Sequence, residues 1–199
     1  MKEVAERVVS LLPPLPDKVH LSVSGSIGGT TLALQYSREV LLSGGRVLWA
    51  TPEMPDSVRF QQLFSEVDLI ASSRFHALQF DDNLQHISLQ IVNAKDTLPR
   101  VQLIVIDDWT PSDGQAPREN IDMVTEVLNH GSDSCSIVII SKSYESPDAS
   151  IELKVRGGSC LVDTGVETWH LLRQQDGKER CLDTPNKQFH FKLESNGFN

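Results

Sequence analysis

The chain has 199 residues, of which 39% are hydrophobic and 23% charged, and its formal net charge at pH 7 is −9. This length and composition predict one globular domain with a substantial hydrophobic core. No apolar run approaches the roughly 18 residues of a membrane-spanning helix, and no Lys/Arg-rich run offsets the acidic charge, which disfavours nucleic acid as a direct partner.

The cysteines give no sign of a disulfide framework or a zinc site. Cys135, Cys160 and Cys181 are odd in number, lie far apart and form no C-x-x-C pair. The first residues include glutamates and show no signal-peptide pattern. We therefore expect a cytoplasmic protein.

Helix and strand patterns alternate along the chain. Apolar residues at helical spacing predict helices over residues 2–12, 30–42, 57–64, 84–94 and 121–128. Apolar or alternating runs predict strands over residues 19–23, 47–50, 103–106 and 136–140. After residue 153 the pattern changes to strands over 169–173, 179–182 and 189–193, which we expect to be antiparallel.

This order of elements predicts the fold class. We predict an N-terminal helix with a Pro-rich lead-in over residues 1–18, and a core over residues 19–199. The core is an α/β domain in which helices cover a mostly parallel sheet, with antiparallel strands added at the C-terminal end.

Glycines and polar side chains follow each predicted parallel strand. In open parallel sheets, ligands bind beyond the carboxyl ends of the strands. These ends carry, in chain order, Ser24–Thr31, Glu53, Asp107-Asp108 and Ser141-Lys142. We expect them to converge on one site.

The stretch from Ser24 to Thr31 reads as a glycine-rich turn that opens a helix. Such a turn presents backbone N–H groups to an anion, with help from the helix dipole. The phosphate-binding pattern G-x-x-x-x-G-K-S/T adds a lysine and a hydroxyl, but here Gly29 takes the place of the lysine. The loop is also two residues short or off pattern at its start. A phosphate cradle and a plain glycine turn both remain open.

Two acidic residues are candidates for chemistry at the same edge. Asp107 ends an apolar strand, as a Mg²⁺-holding aspartate would, or it simply caps the turn that follows. Glu53 follows the second strand, where it would align a water molecule for attack, or it is a solvent-facing loop residue.

Several segments together resemble the RecA superfamily, especially archaeal RadA/RadB-type recombinases and their KaiC-like relatives. "GGTTLALQYSREVLLSGGRVLWATPE" is similar to that family's phosphate-loop helix and second strand, in which "GKTTLALQ" leads to "V-x-Y-V-D-T-E". "LIVIDD" resembles its Walker B strand. The tail from residue 156 resembles its closing Gly-Gly helix, hairpin, Asp-Ser-Pro-like turn and final strand. The resemblance covers nearly everything from residue 19 onward and implies a RecA-like P-loop ATPase core.

The resemblance also implies a set of site residues, with ATP and Mg²⁺ as cofactors that are held weakly or not at all. Thr30 and Asp107 fall on the metal positions, and Glu53 falls on the glutamate that positions the attacking water. Asp183-Thr184-Pro185 falls on a turn that, in the recombinases, caps nucleotide held by the neighbouring subunit. The implied nucleotide-binding residues are Ser24, Gly25, Ser26, Gly28, Gly29, Thr30, Thr31, Lys142, Asp183 and Pro185.

The sequence departs from the family pattern at several points. The Walker lysine is absent, and the short region between Ser141 and Arg156 carries acidic residues. We also expect no DNA-binding or polymerisation module before the core, as in RadB-like paralogues. Lys142 stands where the family has a glutamine-type residue. In a RecA topology its strand lies between the phosphate-loop strand and the Walker B strand, so Lys142 would partly replace the missing charge. The alternative is a solvated surface lysine.

These departures favour an ATPase-defective RecA-family paralogue. We expect it to act as an assembly or regulatory subunit in DNA recombination or repair, with a RecA-family partner or as a homo-oligomer, and without direct DNA binding. The alternatives are a divergent RadB- or KaiC-like ATP hydrolase, and a structural subunit like those of the RecA-like Elongator subassembly.

Overall fold

The computed structural model describes residues 12–81, 84–111, 113–131, 134–145, 153–174, 177 and 179–199. The predicted helix over residues 2–12 lies almost wholly outside them. The helices are α1 (Gly29–Leu42), α2 (Ser57–Leu63), α3 (Leu69–Ser72), α4 (Leu84–Thr97), α5 (Arg118–Asn129) and α6 (Gly158–Leu161). The strands are β1 (Lys18–Val23), β2 (Arg46–Thr51), β3 (Phe75–Gln79), β4 (Val101–Ile106), β5 (Ser136–Glu145), β6 (Leu153–Val155), β7 (Glu167–Arg173), β8 (Glu179–Asp183), β9 (Gln188–Glu194) and β10 (Gly197–Phe198).

One sheet runs through the whole domain in the order β10-β9-β8-β7-β1-β5-β4-β2-β3, and β6 pairs with β5 off this path. The pairs β1–β5, β5–β4, β4–β2 and β2–β3 are all parallel. Strand β5 thus lies between β1 and β4, as the resemblance implied. The carboxyl ends of these strands meet at one edge, so the residues that follow them are brought together.

The C-terminal strands extend the sheet beyond β1. The pairs β7–β8, β8–β9 and β9–β10 are antiparallel, which confirms the prediction for this region. The sheet also shows something the sequence pattern did not: β7 pairs parallel with β1. The crossover through α6 and the short 3-10 turn Val162–Thr164 returns the chain to the start of the sheet, which makes a parallel pairing possible.

Alternating side chains of the strands fill two apolar layers. On β5, Val138 and Ile140 pack on the side covered by α1, whereas Ile137 and Ile139 pack on the side covered by α4 and α5. Strands β4 and β5 are buried on both faces, which explains why they read as continuous apolar runs. Strand β1 is also buried on both faces, but there His20 and Ser22 alternate with the apolar residues. The three tryptophans Trp49, Trp109 and Trp169 are buried in these layers.

Strand β3 is the longest of the strands that sequence patterns missed, and the short elements α3, β6 and β10 were missed as well. It lies at the edge of the sheet, pairs only with β2 among the described strands, and is half exposed. An edge strand with little burial lacks the apolar run that marks a central one. None of the described helices combines the length and the apolar character that crossing a bilayer requires.

Candidate functional site

A cavity of about 490 Å³ opens at the carboxyl ends of β1, β2, β4 and β5. Its lining includes eight of the residues that the sequence singled out: Gly25, Ser26, Gly28, Gly29, Thr30, Glu53, Asp107 and Lys142. The four strand ends thus converge on one hollow beneath the glycines. Their chemical roles remain predictions.

Four of the predicted residues lie outside this lining. The amide of Ser24 donates to the Leu171 carbonyl at 3.1 Å, which ties the start of the loop to β7. Thr31 is buried in the first turn of α1. Asp183 ends β8 and Pro185 lies in the turn that follows, two strands away from β1. The turn therefore takes no part in this chain's own cavity, and its predicted contact with a neighbouring subunit's nucleotide stays a prediction.

Residues 24–28, here called the phosphate loop, lead into the N-terminus of α1. Gly25 and Gly28 have φ angles of 74° and 112°, a backbone region that favours glycine. The first helical bond of α1 runs from the Leu32 amide to the Gly28 carbonyl, so the amides of residues 29–31 have no acceptor within the helix. No side chain caps this end and no acidic residue lies in its first turn. The helix end is therefore suited to an anion.

Gly29 fills the position where a phosphate loop carries its lysine. A Cβ atom added there would lie 2.6 Å from Val23 Cγ2 and 3.3 Å from Ile140 Cγ2. These are branched core side chains with little freedom to move. A lysine at this position would therefore have to displace the side chain of Val23 and press on that of Ile140.

Thr30 and Asp107 form the polar floor of the cavity. Asp107 is only 5% exposed, and burial raises its pKa from 3.8 to about 6. The repulsion of Asp108 also raises the pKa, whereas a hydrogen bond with the Thr30 side chain and the attraction of Lys142 lower it. A hydroxyl and a partly desolvated carboxylate side by side match the ligands that Mg²⁺ takes beside a nucleotide.

The opposite side of the cavity is formed by residues 53–56, here called the acidic wall. The Thr51 hydroxyl donates to the Glu53 carbonyl at 2.7 Å and fixes the chain as it leaves β2. Asp56 accepts from the Arg59 amide at 2.8 Å and caps α2. Glu53 is exposed and lines the cavity, which is the position that a water-aligning carboxylate needs.

Lys142 supplies the only lysine or arginine among the residues that line this cavity. Its Nζ lies 3.5 Å from Asp108 Oδ1, and the two side chains are 40% and 46% exposed. Its charge is therefore shared with a carboxylate. The hypothesis that Lys142 replaces the Walker lysine remains a prediction, and Asp108 would compete with any phosphate for it.

Sequence reasoning missed Asp56 and gave no role to two other residues of this site, Asp108 and Ile27. Asp56 was signalled only by its position before a helix, where an acidic cap is common. Asp108 was noted beside Asp107 but given no role, although its φ of 54° turns the chain sharply after β4. Ile27 carried no chemical signal, yet it is 3% exposed and holds the phosphate loop against the core.

Within the described residues, no group of three or more His, Cys, Asp or Glu side chains is placed to hold a metal ion. This agrees with the donor set at the cavity, because Mg²⁺ at nucleotide sites keeps several waters and takes one or two protein ligands plus phosphate oxygens. Thr30 and Asp107 fit that requirement.

Comparisons with known proteins bear on the fold. No protein-family model matches the sequence, and no curated protein matches it. Among solved structures, the chain is similar to the crystal structure of the RadB recombinase, with a TM-score of 0.67 and 18% identity over 92% of this chain and 90% of that one. As many as 332 solved chains match, so the architecture is common and shows a RecA-like core without fixing an activity.

Proposed function

We propose that this chain is a RecA-family paralogue that binds a Mg²⁺-nucleotide weakly, hydrolyses it poorly or not at all, and acts as an assembly or regulatory subunit in DNA recombination or repair. The observation that carries the proposal is the packing of Gly29. The cavity keeps the place for a nucleotide, but the position of the main cation is closed by Val23 and Ile140.

The loss of that cation bears on hydrolysis more than on binding. Phosphoryl transfer depends on positioning and on neutralising the charge that develops in the transition state. Removing one preorganised donor costs about 10²–10³ in rate, or roughly 2.7–4 kcal/mol. A cavity without its lysine is therefore expected to turn over slowly even when nucleotide is bound.

The charge balance of the cavity predicts that binding depends on the metal. Its lining contains four carboxylates, Glu53, Asp56, Asp107 and Asp108, against the single Lys142. A bare triphosphate would be repelled by this lining. A divalent cation held by Thr30 and Asp107 would offset the repulsion, and the amides at the start of α1 would then face the phosphates.

The proposed assembly role rests on the fold and on two features of the surface. The RadB structure that the chain resembles is that of a recombinase. The turn at Asp183 and Pro185 faces away from the chain's own cavity, as a turn that contacts a neighbour's nucleotide would. The net charge of −9 favours a protein partner over DNA.

One observation favours a second candidate, a divergent ATP hydrolase. The Thr30–Asp107 hydrogen bond is intact and Glu53 lies on the same cavity. These are the positions that metal binding and water activation require. In that case Lys142 would have to supply enough positive charge for turnover.

Single-turnover phosphate release decides between these candidates. Excess protein is mixed with labelled ATP and Mg²⁺, and wild type is compared with Glu53→Gln. We expect wild type to bind the nucleotide and to release phosphate no faster than Glu53→Gln does. Release that is lost in Glu53→Gln would establish the hydrolase. If no nucleotide binds, the chain is a structural subunit like those of the RecA-like Elongator subassembly.

A further inference from the structure

The last residues of the chain contact both sides of the cavity. Strands β9 and β10 form a hairpin, here called the C-terminal hairpin, which packs beside α1. One face of it reaches the phosphate loop, and its turn reaches α2, which begins directly after the acidic wall. These contacts join two segments of the cavity that are far apart in sequence.

The contact with the phosphate loop is made by apolar side chains. A Cβ atom at Gly28 would lie 3.0 Å from Phe198 Cζ and 3.1 Å from Leu193 Cδ2, so the backbone of Gly28 rests directly on the hairpin. Phe198 is 1% exposed. On β8, which pairs with β9, Arg180 donates from Nε to the Ile27 carbonyl at 3.2 Å.

Gln35 fixes the hairpin to α1. Its side chain accepts from the Phe198 amide at 2.7 Å and donates to the Phe198 carbonyl at 3.1 Å, so one amide group satisfies both backbone groups of that residue. Gly197 allows the close approach, because a Cβ atom there would lie 2.4 Å from Gln35 Cδ. Gln35 and Phe198 are both buried, so these bonds fix the position of the hairpin along α1.

Arg59 makes the contact with the acidic wall. Its guanidinium donates from Nη1 to the Glu194 carbonyl at 2.8 Å and to the Ser195 carbonyl at 2.9 Å, in the turn of the hairpin. The backbone amide of the same residue is held by Asp56, which lines the cavity. A single residue thus links the hairpin turn to the wall.

We propose that Gln35 and Arg59 are positioning residues that act through the C-terminal hairpin and set the separation between the phosphate loop and the acidic wall. A phosphate-bearing ligand that touches both walls would then tighten the hairpin. By thermodynamic reciprocity, the factor by which the ligand stabilises the closed hairpin is also the factor by which opening the hairpin weakens binding of the ligand. The identity of the ligand rests on the proposed function, whereas the holding of the walls does not.

Hydrogen exchange of backbone amides tests the holding of the walls in the free protein. Arg59→Met removes the donors but keeps an unbranched apolar stem, and Arg118→Met is the matched control because the Arg118 side chain is 92% exposed on α5. We expect Arg59→Met to speed exchange in residues 53–60 and 194–198 about fivefold, the factor expected for one net hydrogen bond. The control should leave these segments unchanged. Unaltered exchange in residues 53–60 of Arg59→Met would overturn the proposal.

Gln35→Met tests whether the hairpin also positions the phosphate loop. It should speed exchange at Phe198 and in residues 25–30 together, while α5 keeps its protection. Faster exchange at Phe198 alone would show that the hairpin does not position the phosphate loop, and it would also overturn the proposal.

Ligand coupling separates positioning from a purely structural role. Saturating ADP with Mg²⁺ should slow exchange in residues 194–198 of wild type. Arg59→Met should raise the Kd several-fold at a temperature where it is as fully folded as Arg118→Met, whose Kd should stay that of wild type. Binding without any protection of the hairpin would contradict the coupling. If ADP does not bind at all, the proposed function fails, but the two free-protein experiments still decide whether the hairpin holds the walls.

Discussion

The phosphate loop and the Thr30–Asp107 floor lie in the same cavity but keep different parts of a nucleotide site. At the phosphate loop, the position of the lysine is closed by core packing around Gly29. At the floor, a buried carboxylate is kept next to a hydroxyl although burial disfavours its charge. This difference is what the proposed function requires, because the loop lacks the lysine that would neutralise transition-state charge, whereas the floor has two groups suited to a metal ion.

The largest expected effect comes from Asp107. Because burial raises its pKa from 3.8 to about 6, the folded state holds its proton more tightly than the unfolded state. The stability that Asp107 contributes is therefore fully present below pH 4 and is lost as pH rises through 6. This loss lowers the free energy of unfolding by about 3 kcal/mol. Asp107→Asn should remove this loss and make the protein more stable than wild type at pH 7.5, but not at pH 4.

Urea unfolding of wild type and Asp107→Asn at both pH values measures the effect as a difference between the two proteins. Asp122→Asn is the control, because Asp122 is exposed on α5 and is not among the groups that shift the Asp107 pKa. Parallel pH dependence in wild type and Asp107→Asn would contradict the buried, high-pKa carboxylate.

Restoring the lysine tests the closed half of the comparison. Gly29→Lys should destabilise the protein by about 1–3 kcal/mol, as overpacking does, because its Cβ meets Val23. In a Val23→Ala background, the destabilisation that Gly29→Lys causes should fall by at least about 1 kcal/mol. The double variant should then bind Mg²⁺-nucleotide more tightly than Val23→Ala alone.

Ser26→Lys is the matched control for this experiment. It adds the same charge to an exposed residue of the cavity lining without entering the core. Urea midpoints and calorimetric titration report the two effects. A Gly29→Lys protein as stable as wild type would mean that the position is open and that packing does not explain the missing lysine.

Thr30→Val tests the Thr30–Asp107 floor of the cavity. It removes the hydroxyl that lowers the Asp107 pKa, so that pKa should move further upward from about 6. The lost hydrogen bond to a charged group is worth about 1.5–3 kcal/mol, and Mg²⁺-dependent binding should weaken. The carboxyl signal of Asp107, followed by NMR as a function of pH, checks the direction. A downward shift would show that Thr30 does not stabilise the ionised carboxylate.

The smallest expected effect concerns the pair of Lys142 and Asp108, which are both partly exposed. An exposed ion pair contributes about 0.2–1 kcal/mol, so neither Lys142→Ala nor Asp108→Asn should change Tm much. Nucleotide affinity should nevertheless fall in Lys142→Ala and rise in Asp108→Asn, which frees the lysine. Unchanged affinity in Lys142→Ala would end the idea that Lys142 replaces the missing cation.

Sequence patterns predicted the α/β class and located β4 and β5 along the chain because these strands are buried on both faces and read as apolar runs. The order of the strands in the sheet came from the resemblance to the RecA superfamily. Sequence patterns also placed Gly28, Glu53 and Asp107 at one edge, since parallel strands end together. They missed the edge strand β3, where burial and therefore the apolar signal are weak.

Other features of the site depend on contacts between distant segments. The tight packing around Gly29 includes Ile140, which lies more than a hundred residues away in sequence, although the closest contact is with Val23. The contact of Phe198 with Gly28 and the bonds from Arg59 to the hairpin turn likewise join positions that have no relation in sequence. No local pattern reports such contacts, so the closed phosphate loop and the bridged walls became visible only in the folded chain.

Calorimetric titration of a non-hydrolysable ATP analogue, with Mg²⁺ and with EDTA, tests the central claim most directly. The account predicts measurable binding with Mg²⁺ and at least about tenfold weaker binding in EDTA, because four carboxylates face one lysine in the cavity. Equal affinity in the two conditions, or no binding in either, would contradict it.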